Sequence, residues 1–294
     1  MLRPPKSPDL RRLECFCIPQ DVPRGNDRAV AGTAMTSVPR AWLAALLCCA
    51  GAATAADSEV FDSAGVGLRY FSAGAGETVV LLHGFSGSAE GLYLKPGTFD
   101  AIVGAGYRVV ALDQRGHGAS EKPHAPESYG MEMVEDVRRL LDHLQVERAH
   151  LVGYSMGAKV SNTFRANYPE RLLSITLGGY GWPWQGPQTS LAEARSRMRD
   201  RTVLPGNDLD ALAAVSVGMY DLTPAKDNLR ANRVPALAII GDQDDVVSAT
   251  DLDTLKNTMA KLELVIVPGT HAGSDGAPYK PRFAEELIAF LGTH

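Results

Sequence analysis

The chain has 294 residues, 45% hydrophobic and 21% charged, which suits one large α/β domain or two small ones. Its four cysteines all precede residue 57, so the remainder can hold neither a disulfide nor a thiol nucleophile. Residues 1–56 carry seven basic and four acidic residues, a net charge of +3, whereas the remainder carries 22 basic and 30 acidic residues, a net charge of −8. This acidity argues against a nucleic-acid partner. Because no histidine or cysteine cluster has metal-ligand spacing, we expect no metal and no cofactor.

The N-terminal segment has the features of a targeting sequence. Residues 1–34 are rich in Pro, Arg and Gly, and we expect them to be disordered or a misassigned extension, with Met35 as the true start. Residues 35–56 combine a basic region, a short apolar stretch and an A-x-A site, the pattern of a signal peptide. The apolar stretch is shorter than the ~20 residues of a spanning helix, which disfavours a retained membrane anchor. We therefore predict cleavage after Ala55 or Ala56 and export to the periplasm or the medium.

The remainder, 57–294, is predicted to form one α/β domain. Two short strands, 59–61 and 67–71, form an antiparallel lead-in. Buried strands are predicted at 78–82, 107–112, 149–152, 172–177, 236–240 and 262–267. Helical segments are predicted at 89–105, 131–144, 158–168, 250–259 and 283–291. Strands that alternate with helices predict a doubly wound, mostly parallel sheet with helices on both faces.

One segment, about residues 181–230, breaks this alternation. It contains Trp182, Trp184 and several prolines, with helix-like stretches at 190–201 and 208–220 and no buried strand. We interpret it as a small helical cap inserted into the α/β domain.

A serine pattern stands between a predicted strand and a predicted helix. Residues 153–157 read G-Y-S-M-G, and this G-x-S-x-G pattern in a strand–turn–helix context is typical of a nucleophile elbow. The turn is so tight that glycine is needed at both flanking positions. It presents the Ser155 hydroxyl above the sheet and puts the Met156 N–H at a helix N-terminus, where it can donate to a developing oxyanion.

A serine hydroxyl needs a base, which is usually a histidine oriented by a carboxylate. Asp244 and His271 each follow a predicted strand, and the carboxyl ends of parallel strands are where α/β sheets place their sites. Asp242 and Asp245 also lie nearby, so the residues alone leave a choice of acid. The chain order is Ser, Asp, His.

Four landmarks then occur in order: His83-Gly84-Phe85, an R-G-H-G sequence within 113–120, the elbow, and the acid and histidine loops. With these landmarks the chain resembles the α/β-hydrolase fold superfamily over about residues 60–292. The resemblance implies Ser155 as nucleophile and His271 as general base and then general acid. It also implies that the Phe85 and Met156 N–H groups form the oxyanion hole.

The family pattern G-x-x-D-x-V-V selects Asp244 as the acid, with Asp242 as the alternative. His83 is interpreted as shaping the oxyanion loop. Asp113, Arg115 and His117 are interpreted as bracing the loop after their strand. His143 and His150 are expected at the surface or at helix ends.

We expect a serine hydrolase that cleaves carboxylic esters of small or medium size without a cofactor. Tyr154, Trp182 and Trp184 are candidate pocket residues, with packing within the cap as the equal alternative; Phe85, Met219 and Tyr220 are considered with them. Rival chemistries on the same triad are C–C bond or enol-lactone hydrolysis and cofactor-free haloperoxidase or perhydrolase activity. A receptor-like ligand-binding role is a further alternative. Epoxide hydrolases and dehalogenases, whose nucleophile is aspartate, are disfavoured by Ser155.

Overall fold

The computed structural model describes residues 56–182, 188–199, 207–220 and 222–294. The predicted N-terminal extension and the signal peptide up to residue 55 lie outside the described residues. The described residues contain one eight-stranded sheet. Its strands are β1 (Asp57–Asp62), β2 (Gly67–Ala73), β3 (Thr78–Leu82), β4 (Arg108–Leu112), β5 (Ala149–Tyr154), β6 (Leu172–Gly178), β7 (Ala236–Gln243) and β8 (Leu262–Thr270).

The strand order across the sheet is β1-β2-β4-β3-β5-β6-β7-β8. β1 pairs with β2 and β2 pairs with β4 in antiparallel fashion, and every later pair is parallel. The predicted doubly wound, mostly parallel sheet with an antiparallel lead-in is therefore confirmed. Because the later strands run in parallel, their carboxyl ends meet at one edge, where the candidate site lies.

Helices cover both faces of the sheet. α1 (Thr98–Gly104) and α8 (Pro281–Leu291) pack on one face, and α2 (Met131–His143) and α3 (Met156–Asn167) pack on the other. The remaining described helices are α4 (Leu191–Arg199), α5 (Leu209–Gly218), α6 (Lys226–Ala231) and α7 (Ala249–Thr258). A π-helical turn spans Glu90–Leu94. Among the described residues, no helix combines the length and the hydropathy needed to cross a bilayer.

Strand β3 shows why its sequence is a continuous apolar run. Val79 and Leu81 pack with α1 and α8 on one face of the sheet. Val80 and Leu82 pack with α2 and α3 on the other. All four side chains are fully buried, since a parallel strand covered on both faces has no solvent-facing side.

Between β6 and β7 the described residues contain three helices, α4 to α6, which agrees with the predicted cap insertion. α4 and α5 pack against each other through small and apolar side chains. Two hydrogen bonds connect the cap with the α/β layer. Lys159 Nζ of α3 donates to the Met219 carbonyl at 2.7 Å, and Asn207 Nδ2 of the cap donates to the Ser86 carbonyl at 2.8 Å. α6 was not predicted, because it has six residues and buries only Leu229, too little to produce a visible apolar period.

The expectation that His150 lies at the surface is wrong. His150 is the second residue of β5, and its side chain is fully buried. Its Nδ1 lies 2.8 Å from Ser174 Oγ, and its Nε2 lies 3.7 Å from Glu77 Oε2. Burial lowers the pKa of His150, although the nearby Glu77 carboxylate opposes this. The imidazole is therefore held neutral inside the sheet.

This burial predicts a loss of stability in mild acid. The unfolded-state pKa of histidine is about 6.5, and the folded-state pKa of His150 is lower, so the unfolded state binds more protons as pH falls through 6.5. His150→Asn removes the titrating group, so the free energy of unfolding of this variant should fall less than that of the wild type between pH 7.5 and 5.5, with an upper limit of about 1.4 kcal/mol on the difference. Urea unfolding at both pH values measures this. An equal fall in both proteins would contradict the prediction.

Candidate active site

Ser155 occupies the junction of β5 and α3 in an unusual backbone conformation. Its φ is 52° and its ψ is −111°, a sparsely populated region for a residue with a side chain. The Ser155 N–H donates to the Gly178 carbonyl at 2.8 Å, which fixes the turn to the end of β6. The surrounding contacts thus hold a strained residue in place at the carboxyl edge of the sheet.

The two glycines of the G-x-S-x-G pattern are required by close backbone contacts. A Cβ on Gly153 would lie 2.3 Å from the Gly157 carbonyl oxygen, and a Cβ on Gly157 would lie 2.2 Å from the Leu82 carbonyl oxygen. Real Cβ atoms essentially never come this close, and the opposing atoms are backbone. The elbow can therefore form against β3 only when both positions lack a side chain.

Ser155, His271 and Asp244 come together although they are far apart in the chain. His271 Nε2 lies 2.9 Å from Ser155 Oγ, and His271 Nδ1 lies 2.9 Å from Asp244 Oδ2. An ionised carboxylate can only accept a hydrogen bond, so the imidazole proton belongs on Nδ1. Nε2 is then the acceptor that faces the serine hydroxyl, which is the arrangement needed to take its proton.

The carboxylate beside His271 is that of Asp244, whose side chain is 1% exposed. Its Oδ1 accepts the N–H groups of Val246 at 2.9 Å and Val247 at 3.0 Å. Burial tends to raise the pKa of Asp244, but the hydrogen bonds from His271 and these two amides outweigh it, so the pKa lies below its usual value. Asp242 lies within β7 and instead accepts the Gly269 N–H at 2.9 Å.

The loop after β3 packs directly on the elbow. A Cβ on Gly84 would lie 3.5 Å from the Ser155 Cβ. The next residue, Phe85, lines the cavity described below and also packs against the α4–α5 pair. Met156 is the first residue of α3, so its N–H is one of the four that have no partner within the helix. These positions are compatible with the oxyanion donors implied by the family pattern.

His83 ties this loop to the neighbouring one. Its Nε2 accepts the Gln114 N–H at 3.1 Å, which leaves Nδ1–H to donate to the Gly84 carbonyl at 2.8 Å. Burial lowers the pKa of His83 even though the Asp113 carboxylate opposes it. A neutral imidazole with a hydrogen bond at each ring nitrogen is consistent with the structural role that the sequence predicts for His83.

The R-G-H-G segment after β4 is held by buried polar contacts. Asp113 accepts the N–H groups of Ala89 at 2.8 Å and Ala119 at 2.9 Å. Arg115 forms a buried ion pair with Asp136, with Nη2 and Oδ1 2.6 Å apart. Burial lowers the pKa of His117 to about 3, and its Nδ1 donates to the Arg115 carbonyl at 3.0 Å. None of Asp113, Arg115 and His117 lines the cavity, which is consistent with bracing rather than chemistry.

A cavity of about 990 Å³ opens at Ser155. Its lining comes from the loop after β3, the π-helical turn and the residues after it, the elbow, and the acid and histidine loops. The described lining residues are Gly84–Ser88, Gly91, Leu92, Lys95, Pro96, Tyr154, Ser155, Val246, His271–Ser274, Pro278 and Tyr279.

Only some of the candidate pocket residues lie at the cavity. Tyr154 and Phe85 line the cavity, whereas Trp182, Met219 and Tyr220 are not part of its lining. Trp182 packs on the core between α3 and α7, and Lys226 Nζ lies 4.9 Å from the centre of its ring. The assignment of Trp182 to the pocket is therefore not supported, because the chain after β6 places this side chain beside α6 and α7. Trp184 lies outside the described residues.

Several lining residues had no sequence signal. Gly91 and Leu92 belong to the π-helical turn, and Pro278 and Tyr279 follow the histidine loop. They carry no motif and reach the site only through the folding of the chain. The described residues contain no group of three or more His, Cys, Asp or Glu side chains placed to hold a metal ion.

A family model described as "alpha/beta hydrolase fold" matches residues 77–203. The 2-hydroxy-6-oxo-6-phenylhexa-2,4-dienoate hydrolase of Comamonas testosteroni is 41% identical over 114 residues, which are 39% of this chain and 40% of that protein. The dihydrolipoyllysine-residue acetyltransferase component of the acetoin cleaving system of Pseudomonas putida is 38% identical over 260 residues, 77% of this chain and 67% of that protein. The match to the Comamonas enzyme thus spans less than half of its length.

Among solved structures, a hydrolase from Pseudomonas aeruginosa PA01 superimposes with a TM-score of 0.68 and 25% identity, over 80% of this chain and 98% of the other. The mostly parallel sheet, the strand–turn–helix at Ser155 and the long match to the Pseudomonas putida protein agree with one another. The chain therefore belongs to the α/β-hydrolase fold superfamily.

Proposed function

We propose that this hydrolase-fold protein is a serine hydrolase that cleaves carboxylic esters of small or medium size through an acyl-enzyme on Ser155. The observation that carries the proposal is the 2.9 Å contact of His271 with both Ser155 and Asp244 at the base of an open cavity. A cavity of about 990 Å³ is at the upper end of the usual range for small-molecule sites. It suits an ester of medium size.

In the proposed first step, Ser155 Oγ attacks the ester carbonyl carbon as its proton moves to His271 Nε2. Asp244 holds the imidazole by Nδ1 and stabilises the positive charge that forms on it. The N–H groups of Phe85 and Met156 donate to the carbonyl oxygen as it becomes an oxyanion.

The tetrahedral intermediate then collapses. The alcohol leaves with the proton from His271 Nε2, and the acyl group stays on Ser155. In the second half-reaction, Nε2 takes a proton from water, whose oxygen attacks the acyl carbon. The carboxylic acid leaves as Ser155 recovers its proton, so the cycle needs no cofactor.

A second candidate is hydrolysis of a C–C bond on the same three residues. The named substrate of the Comamonas relative is a hydroxy-oxo-dienoate, a compound with ketone and carboxylate groups but no ester. Hydrolysis of such a compound breaks a C–C bond. The relative therefore favours this chemistry as much as ester cleavage, and the family fold alone does not choose between them.

The primary test is hydrolysis of p-nitrophenyl esters of increasing acyl length by the protein starting at Asp57. Turnover should be highest for short or medium chains, and Ser155→Ala should lower it by about 10³-fold or more, because the nucleophile is lost. Equal turnover by the variant would contradict the proposal and assign the reaction to other groups. If the folded wild type cleaves no ester but cleaves a hydroxy-oxo-dienoate, the second candidate replaces the first.

The assignment of Asp244 as the acid is tested by making the same substitution at Asp244 and at the adjacent Asp245. Asp244→Asn keeps the shape of the side chain but removes the negative charge that orients and stabilises His271, so kcat should fall on the order of 10³–10⁴-fold. Asp245→Asn makes the same chemical change at an exposed position next in the chain and should keep kcat within about two-fold. Steady-state kinetics on one ester compares them. Equal effects of the two substitutions would contradict the assignment of Asp244.

We also propose that residues 35–56 direct export and are then removed. The support is the order of basic, apolar and small residues in this segment. When the full chain is expressed with its own N-terminus, the mature protein should begin at Ala56 or Asp57 and be found outside the cytoplasm. Mass spectrometry of fractionated cells measures both. An intact N-terminus in the cytoplasmic fraction would overturn the proposal.

A further inference from the structure

Tyr154, the residue immediately before the elbow serine, makes a hydrogen bond that the proposed mechanism does not use. Its side chain is 4% exposed, and its hydroxyl donates to the backbone carbonyl of His271 at 2.6 Å. The two rings also pack together, with centroids 5.6 Å apart. Tyr154 therefore contacts both the main chain and the side chain of His271.

The ring of Tyr154 lies in a slot that leaves it little freedom. Phe283 of α8 packs against it with centroids 6.0 Å apart. Gly178 and Gly179 also lie close to it, since an added Cβ at these positions would be 2.6 Å and 2.8 Å from ring atoms of Tyr154. A side chain at Gly179 would also lie 3.1 Å from His271 Cε1. The backbone at the end of β6 therefore leaves room for the rings of Tyr154 and His271 only because both positions are glycine.

The position of His271 in the chain shows what this contact does. His271 follows directly after β8, in a loop where the Thr270 N–H donates to the Asp275 carbonyl at 3.0 Å. Its ring is held by Ser155 and Asp244, and its carbonyl is held by Tyr154. Since Tyr154 and Ser155 are joined by a peptide bond, these contacts close a ring that runs from the serine through the histidine and back.

We propose that Tyr154 is a positioning residue for His271, holding its main chain so that Nε2 stays within hydrogen-bond distance of Ser155 Oγ. This goes beyond lining the pocket, and it rests on the proposed function only in its kinetic consequences. A shift of a base by a fraction of an ångström is enough to slow a proton transfer.

The hydroxyl of Tyr154 remains a hydrogen-bond donor at neutral pH. Burial raises the pKa of Tyr154, and the nearby Asp244 carboxylate and Tyr279 raise it further. The hydroxyl therefore keeps its proton and stays a donor. A serine or threonine at this position would not reach the carbonyl, whereas phenylalanine fills the same slot without the donor.

Tyr154→Phe tests the proposal, because it removes one hydroxyl and keeps the ring. Tyr129→Phe is the matched control: Tyr129 is 3% exposed, and its hydroxyl donates to the backbone carbonyl of Pro123 at 2.5 Å, away from the site. In Tyr154→Phe, kcat on an ester and the rate of Ser155 labelling by a fluorophosphonate should each fall about 10-fold, the effect of a hydrogen bond of about 1.4 kcal/mol. KM should stay within about two-fold, and amide exchange in residues 268–276 should increase. Tyr129→Phe should change none of these.

The outcomes separate this inference from the proposed function. A rise in KM with unchanged kcat would overturn it and make Tyr154 a substrate contact only. Equal losses in both tyrosine variants would overturn it in favour of general destabilisation. If the wild type cleaves no ester, the proposed function fails, but the labelling rate and the amide exchange still decide the role of Tyr154. Unchanged exchange in residues 268–276 would overturn the positioning role whether or not esters are cleaved.

Discussion

The positive φ of Ser155 is the constraint on which the site depends. At φ 52° the chain turns sharply enough to place the serine hydroxyl above the sheet and to start α3 one residue later. That turn is possible only because Gly153 and Gly157 lack side chains: a Cβ on Gly153 would collide with the backbone of Gly157, and a Cβ on Gly157 would collide with the backbone of β3 at Leu82. The close approach of Gly157 to Leu82 also places the next loop residues, His83 to Phe85, beside Ser155. One steric requirement therefore fixes Ser155 and its neighbouring loop together.

Hydrogen bonds then determine how each histidine near Ser155 is oriented and where its proton lies, which steric contacts alone do not. Three buried or half-buried histidines lie near the site, and their hydrogen-bond partners differ. His83 accepts from one amide and donates to a carbonyl, and His117 is buried with its pKa near 3, so neither is set up to exchange protons. Only His271 combines a carboxylate at Nδ1 with a hydroxyl at Nε2. The environment, and not the residue type, distinguishes His271 from the other two histidines.

Those parts of the structure that depend on local sequence were predictable. β3 begins and ends at the predicted residues, because both of its faces are buried and its apolar run has sharp limits. The elbow and the two loops that approach it were located because each requires a particular residue type at a particular spacing. The choice of Asp244 over Asp242 came from the family pattern. In the structure, β7 extends to Gln243, so Asp242 is still within the strand and only Asp244 reaches the loop that faces His271.

What could not be predicted depends on contacts between distant segments. His150 looks like a polar residue at the start of a strand, and its neighbours in the sequence do not reveal that it forms a hydrogen bond with Ser174 inside the sheet. Trp182 looks like a pocket aromatic, but the chain carries it towards α6 and α7. The cavity itself is built from residues such as Gly91, Leu92 and Tyr279, which belong to loops without a motif. The shape of such loops depends on the whole fold, whereas the chemistry of the site depends on a few close contacts. It follows that the sequence of a chain of this family can reveal which residues form the site, whereas its substrate and the bond that it cleaves depend on residues under much weaker local constraint.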